Sequence, residues 1–328
     1  MIPYASPGDG SKLRREGDVL ISETNDRFPV VGDIPRFVDS EAYAASFGLQ
    51  WTVHSETQLD SRTGTPISRE RLERCIGEPL SSLRGANVLE AGCGAGRFTE
   101  LLVAAGAEVH AVDLSVAVEA NRLNVGDHPN YAVAQADILS LPFPSDSFDV
   151  VCCLGVLQHL PSPERGIESL WTRVRPGGLL VIDHYRWDLR QLVGRLTRLS
   201  TLYRMILKRI PPQRAKRITD AMVDVFFPLH WAFRRVWLAQ IALNRVSATP
   251  FYYGLFPELT EEQHREWSRL DAFDTLTDRY KHLRTVAQIR ATLEGLGGEE
   301  VVAVKAGNGV EGRARKPLSS SPVGQIRA

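Results

Sequence analysis

Asn87-Val88-Leu89-Glu90-Ala91-Gly92-Cys93-Gly94-Ala95-Gly96-Arg97-Phe98-Thr99 is the stretch whose reading decides the fold. Residues 87–91 have the texture of a buried strand. The glycine cluster follows at once, and after it Phe98, Leu101, Leu102 and Ala105 recur at helical spacing as far as Gly106. A strand running through a glycine-rich turn into a helix is the opening unit of a parallel α/β sheet. In open sheets of that kind ligands bind at the carboxyl ends of the strands, where this turn sits. Its glycines let the chain bend sharply and leave bare main chain for a ligand to lie against.

Downstream the alternation continues. Strands are predicted at 108–114, 131–136 and 148–154, with a helix over 117–123. Ser162 and Pro163 open a further helix, Glu164 suits its positive end, and Arg173 and Arg175 suit its negative end. Pro176-Gly177-Gly178 is expected to stop it, and a fifth strand follows at 179–183. Such β-α alternation implies a parallel sheet covered by helices on both faces.

At about Arg186 the pattern breaks. From there to Pro250 there are thirteen Lys/Arg against three Asp and no Glu. Leu189, Val193, Leu196, Leu199, Tyr203, Leu207 and Ile210 predict an amphipathic helix with a basic outer face, ended by Pro211-Pro212. A second helical stretch, 215–246, carries Phe226, Phe227, Trp231, Phe233 and Trp237, and Pro228 is expected to kink it. The alternation resumes with Thr285 capping a helix over 286–296. A strand at 301–305, the turn Asn308-Gly309 and an antiparallel partner at 310–315 complete it. Upstream, short strands are expected at 17–22 and 28–31, and a helix from about Ser68 to Cys75. The organisation read from this is a small N-terminal segment (1–50) and a helical lead-in (51–85). A core over 86–185 and 283–316 is interrupted by a helical cap (186–282), and a flexible tail (317–328) follows.

The 328 residues are 43% hydrophobic and 24% charged with zero formal net charge, the balance of a soluble globular protein with no global pull toward nucleic acid. Cys75, Cys93, Cys152 and Cys153 form no C-x-x-C pair and have no histidines at ligand spacing, so neither a metal site nor a disulfide framework is expected. Residues 1–20 are polar, without the apolar run of a signal peptide. A cytoplasmic protein is expected.

Two cofactors compete for the glycine turn. A dinucleotide fingerprint, G-x-G-x-x-G, would need a third glycine where Arg97 stands. The pattern is instead G-x-G-x-G with Glu90 two residues before it, and an acid suits a sulfonium and ammonium better than a pyrophosphate. Asp113, ending the second core strand, can accept from both ribose hydroxyls. Asp137, ending the third, can accept from an adenine amino group.

Residues 88–99, 111–115, 136–141 and 148–160 together resemble, in order and spacing, the motif series of class I S-adenosylmethionine-dependent methyltransferases. They are most similar to the ubiquinone/menaquinone, type 11-like group. Leu141-Pro142-Phe143 with Asp146-Ser147-Phe148-Asp149-Val150-Val151, and Arg173-Val174-Arg175-Pro176-Gly177-Gly178, are the closest stretches. The resemblance implies a Rossmann-like sheet with a C-terminal antiparallel hairpin and a helical insertion after the fifth strand. It implies S-adenosyl-L-methionine held by Glu90, Gly92, Cys93, Gly94 and Gly96 at the methionyl part and Asp113 with Leu114 at the ribose. Asp137 and Ile138 would meet the adenine, and Leu154 and Gly155 would lie beneath the sulfonium. Residues 13–38 resemble a Trm112-like zinc ribbon whose cysteines are missing.

The acceptor is expected to be a small metabolite, sugar or lipid-linked molecule, methylated on oxygen in preference to nitrogen or carbon. Candidates for a general base are His159, after the fourth core strand, then His184 and Tyr185 past the fifth, with His54 fourth. The end of the fourth strand, Cys153-Leu154-Gly155-Val156, lacks the Asn/Asp-Pro-Pro-aromatic motif of base aminomethylases, which disfavours nucleic acid. The basic stretch 186–217 is a solvated face or, in the sharper reading, a peripheral membrane contact. Two other functions remain open: a non-catalytic adenosylmethionine binder, and a nicotinamide-dependent oxidoreductase.

Overall fold

The computed structural model describes residues 1–38, 45–188 and 199–318. Leu189, Val193 and Leu196 of the predicted basic helix, and residues 319–328 of the predicted tail, lie outside them.

Four short strands open the chain: β1 (Arg14–Glu16), β2 (Val19–Ile21), β3 (Arg27–Val31) and β4 (Ile34–Pro35). They form an antiparallel sheet in chain order. Helices α1 (Ala45–Val53), α2 (Asp60–Thr63) and α3 (Ile67–Ile76) follow.

The core is a seven-stranded sheet in the order β10-β11-β9-β8-β5-β6-β7. Its members are β5 (Asn87–Ala91), β6 (Glu108–Asp113), β7 (Tyr131–Gln135), β8 (Phe148–Cys153), β9 (Val174–His184), β10 (Glu299–Ala306) and β11 (Gly309–Arg315). Strands β5 to β9 pair in parallel, and β11 runs antiparallel to both β9 and β10. This is the Rossmann-like sheet with a C-terminal hairpin. Alternate side chains serve opposite faces, as the pleat requires. Leu89, Val151, Cys153, Leu180 and Ile182 enter one core, and Val88, Val150, Cys152 and Val181 enter the other. Adjacent Cys152 and Cys153 thus fill two different cores, both buried as free thiols. Helices α4 (Thr99–Ala104), α5 (Ala117–Val125), α6 (Pro163–Arg173) and α11 (Val286–Gly295) cover the faces; α11 closes its first turn with a Thr285/Gln288 capping box. Strand β9 begins at Val174, before Pro176-Gly177-Gly178, because the register with β8 shifts between Phe148 and Val150 and absorbs the irregular residues.

The chain order reverses where β5 lies between β6 and β8. The loops after β5 and β8 therefore diverge and leave a crevice, the switch point at which such sheets hold ligands.

The helical insertion after β9 comprises α7 (Ser200–Leu207), α8 (Pro212–Ala232), α9 (Trp237–Val246) and α10 (Glu261–Thr277) among the described residues. Helix α8 runs through Pro228, the position at which a kink is expected, and ends at Ala232. Residue 224, whose carbonyl loses its donor to the proline, is exposed, so water can take the place of the missing N–H. Helix α10 was not legible as a unit, yet it buries Trp267, Leu270, Phe273 and Leu276 and packs along α8. No helix among the described residues is long and apolar enough to cross a membrane.

Candidate active site

A cavity of about 1140 Å³ opens at the carboxyl ends of β5, β6 and β8, between the glycine turn and the insertion. Gly92, Cys93 and Gly94 form one wall with Asp113, Leu114 and Ile138; Leu154 and Gly155 continue it past β8. The turn is held by its own backbone. Gly92 and Cys93 N–H donate to the Val112 carbonyl at 2.7 and 3.0 Å. Gly92 and Gly94 have φ of +79° and +49°, where only glycine is unstrained. A Cβ on Gly94 would lie 3.1 Å from the Trp51 ring, so α1 closes directly over the bare main chain.

Asp113 accepts from the Gly94 N–H at 3.0 Å and from the Ser115 N–H and Oγ–H at 2.9 and 2.8 Å. Burial raises its pKa, against these three donors. A carboxylate has about four lone-pair sites, so capacity remains for a hydroxyl. Glu90 lies behind the turn, outside the cavity lining, and accepts from Thr99 Oγ1 at 2.6 Å. Burial pushes its carboxyl up to about 8. Gly96 and Asp137 also stand outside the lining. Gly96 has φ of +101°, where a side chain is strained, and a Cβ there would also lie 3.2 Å from Val125 of α5. Asp137 caps the short 3₁₀ turn after β7 by accepting from the Leu139 N–H at 2.9 Å.

Of the candidate bases, His159 and Tyr185 reach the cavity wall, whereas His184 and His54 do not. His184 is fully buried, with Nδ1 3.1 Å from the Tyr185 carbonyl, and burial lowers it to about 4. His54 faces Glu266 at 3.3 Å. His159 is clasped by the insertion: Nδ1 is 3.2 Å from Asp278 and 3.3 Å from the Tyr280 carbonyl, and Nε2 is 3.8 Å from Asp274. Asp278 is also paired with Arg204 and, at 3.9 Å, with Lys281. Both ring nitrogens of His159 thus face groups that hold the insertion to the core.

The opposite wall carries polar groups that sequence reading missed. Asp271 and Asp274, one turn apart on α10, both line the cavity. Tyr252 O–H donates to Asp271 at 2.5 Å and Tyr185 O–H to Asp274 at 3.3 Å. Burial raises Asp271 to about 7. Arg97 donates to the neutral Ser68 Oγ and Gln58 Oε1 at 2.9 and 2.8 Å and lies over the Phe98 and Trp267 rings. Burial, helped by the charge of Arg71, draws it down to about 9. Asp183 ties the rim together, accepting from the Gly155 N–H at 2.6 Å, from Asn308 at 3.2 Å and from Arg71. A local signal for the helix that carries Asp271 and Asp274 is its capping box, Thr260 with Gln263.

The residues fit adenosylmethionine better than a dinucleotide. Gly92 and Gly94 present bare main chain beside Asp113, with the Trp51 ring packed over Gly94, and Arg97 occupies the place of the third dinucleotide glycine.

Residues 89–182 match the family model described as "Methyltransferase domain". The ubiquinone biosynthesis O-methyltransferase of Cupriavidus pinatubonensis is 33% identical over 115 residues, covering 34% of this chain and 46% of that protein. That of Paraburkholderia phymatum is 37% identical over 100 residues, covering 29% and 43%. The chain thus spans less than half the length of these relatives. Magnesium protoporphyrin IX methyltransferase from Synechocystis, solved with bound SAH, is 18% identical over 82% of this chain and 84% of that one, with a TM-score of 0.40. The strand order, and not that superposition, carries the fold. Residues 89–182 thus match a methyltransferase domain, and the strand order around them is that of a Rossmann-like class I sheet that binds S-adenosylmethionine in relatives of this fold.

Proposed function

We propose that the whole chain transfers a methyl group from S-adenosylmethionine to an oxygen of a small-molecule, sugar or lipid-linked acceptor. The carrying observation is the cavity, walled on one side by the glycine turn with Asp113 and on the other by Tyr252, Asp271 and Asp274 of the insertion. Oxygen is favoured because the relatives reported above are O-methyltransferases by name. Residues 186–282 then act as a cap over the reacting groups, with 86–185 and 283–316 as the donor-binding core. The N-terminal sheet is read as a metal-free relative of the Trm112-like module, and the setting as the cytoplasm. The membrane contact expected of 186–217 is kept as a proposal for the insertion as a whole.

Bound adenosylmethionine supplies a methyl carbon already attached to a good leaving group. The chain's task is to hold an acceptor hydroxyl in line with that carbon and keep water out, which can supply much of the acceleration. The oxygen–carbon bond forms as the carbon–sulfur bond breaks, and the hydroxyl proton must leave. Asp271 is the group suited to take it, being cavity-facing and poised near neutrality by burial. Tyr252 holds its carboxylate in place. His159 and Tyr185 position the cap.

Incubating lysate with the protein and methyl-labelled adenosylmethionine tests this. A labelled, base-stable acceptor should appear with the parent and not with Gly94→Arg. Binding of the cofactor with no labelled product would favour the non-catalytic reading.

A further inference from the structure

Helices α7, α8 and α9 turn apolar side chains outward, the reverse of a solvated surface helix. On α9 no residue is buried. Trp237, Leu238, Ile241, Arg245 and Val246 share one half of its circumference, all exposed, with Trp237 at 72% and Leu238 at 68%. On α8, Ile218, Val225 and Leu229 are exposed at intervals of seven and four residues along one stripe, which Phe233 continues past its end. On α7, Leu202, Met205 and Ile206 are exposed while Leu207 alone is buried.

The three helices adjoin at their ends. Gln240 of α9 donates to the carbonyls of His230 and Phe233, both at 3.0 Å, which fastens α9 to the end of α8. The Leu199 N–H donates to the Arg245 carbonyl at 2.9 Å and Tyr203 O–H to that of Val246 at 3.3 Å, which sets the start of α7 beside the end of α9. The fringe is basic: between Leu199 and Val246, Lys208, Arg209, Arg214, Arg217, Arg235 and Arg245 are exposed. Asp224 is the one exposed acid in that range, and it is paired with Arg269.

We infer that this face of the insertion docks on an anionic lipid bilayer, inserting the Trp237–Ile241 side of α9 at the headgroup level with the flanking lysine and arginines on the phosphates. An apolar ridge edged by cations has the chemistry of an interfacial helix surface, and tryptophan favours that depth. A second copy of the chain is a poorer partner, since it would bring the same basic fringe against this one. The docking stands on the surface alone and does not require methyl transfer. Joined to the function proposed above it has a consequence: Ser200 of α7 and Asn244 of α9 line the cavity from the inner side of the same helices, so a lipid-linked acceptor would enter between them.

The test uses the full chain with vesicles of phosphatidylcholine containing a quarter phosphatidylglycerol, and with pure phosphatidylcholine. The parent should sediment with the anionic vesicles at low salt, with a blue shift of tryptophan emission absent from Trp237→Phe. Affinity for the neutral vesicles should be at least tenfold weaker. The triple variant Trp237→Ser/Leu238→Ser/Ile241→Ser should lose at least tenfold in vesicle affinity while keeping the parent's S-adenosylhomocysteine affinity by calorimetry, which shows that it is folded. Lys208→Glu/Arg209→Glu should lose at least tenfold on anionic vesicles alone. Failure of the parent to bind anionic vesicles, or equal binding by parent and triple variant, overturns the inference. So does a lipid-free dimer that the triple variant dissociates. Failure of methyl transfer with vesicle binding intact would instead sink only the function proposed above.

Discussion

Replacing Gly92 by alanine probes the joint between the glycine turn and the end of β8. At Gly92 φ is +79°, and an added Cβ would lie 2.3 Å from Val156 Cγ2 and 2.9 Å from Cγ1. The turn cannot swing aside freely, because the Gly92 N–H is fixed to the Val112 carbonyl at 2.7 Å. Left-handed backbone costs an alanine about 1–2 kcal/mol, and overfilling a packed contact about 1–3 kcal/mol more. Gly92→Ala should therefore destabilise by about 2–5 kcal/mol in urea unfolding. Val156→Ala removes the two methyls in the way. The double variant should then recover the overlap share and keep the backbone share, a coupling of about 1–3 kcal/mol. Both residues line the cavity, so S-adenosylhomocysteine affinity should fall at least tenfold in Gly92→Ala (about 1.4 kcal/mol) and recover in part in the double variant. If the two single effects simply add, to within about 0.5 kcal/mol, the turn does not rest on Val156 and the reasoning fails.

Asp271→Asn should lower kcat by about 10²-fold or more with cofactor affinity unchanged, and should remove a limb on which the parent's rate falls as pH drops below about 7; an unchanged profile would discard Asp271 as the proton acceptor. His159→Ala should loosen the cap, raising protease sensitivity between residues 246 and 285, yet leave the pH profile in place; loss of that profile would return the base role to His159. Glu90 is raised from 4.5 in the unfolded chain to about 8 in the fold, so the folded state holds the extra proton between those values. Its contribution to stability is intact below about pH 4.5 and is lost as pH rises toward 8, by up to about 4 kcal/mol between pH 5 and 8. Glu90→Gln should flatten that share of the pH dependence of urea unfolding, and parallel curves for parent and variant would contradict it.

The sheet was legible because its signals are local and agree with one another. Residues 87–99 carry strand, turn and helix in thirteen positions, and the punctuation at Ser162-Pro163 and Thr285 marks helices that the structure contains. The hairpin at Asn308-Gly309 was read from two residues. Residues 251–282 were not legible. Helix α10 mixes acids, arginines and apolar side chains, because one side faces α8 and another the cavity, which blurs a single apolar stripe. The outward-facing apolar residues of α8 and α9 likewise suggest a core to any reading that equates apolar with buried. At the site, residue type and position after a strand sufficed for Asp113, whose side chain turns toward the glycine loop. They did not suffice for His184, which sits at the end of β9 but is fully buried, outside the cavity lining. Nor could spacing show that His159 meets Asp274 and Asp278, more than a hundred residues away.

Calorimetric titration of the full chain with S-adenosylhomocysteine, and separately with NADH, bears most directly on the bare turn beside Asp113. The expected result is one S-adenosylhomocysteine bound per chain, no heat from NADH, and loss of binding in Gly94→Arg, whose side chain would meet the Trp51 ring. NADH binding to a chain that ignores S-adenosylhomocysteine would contradict it.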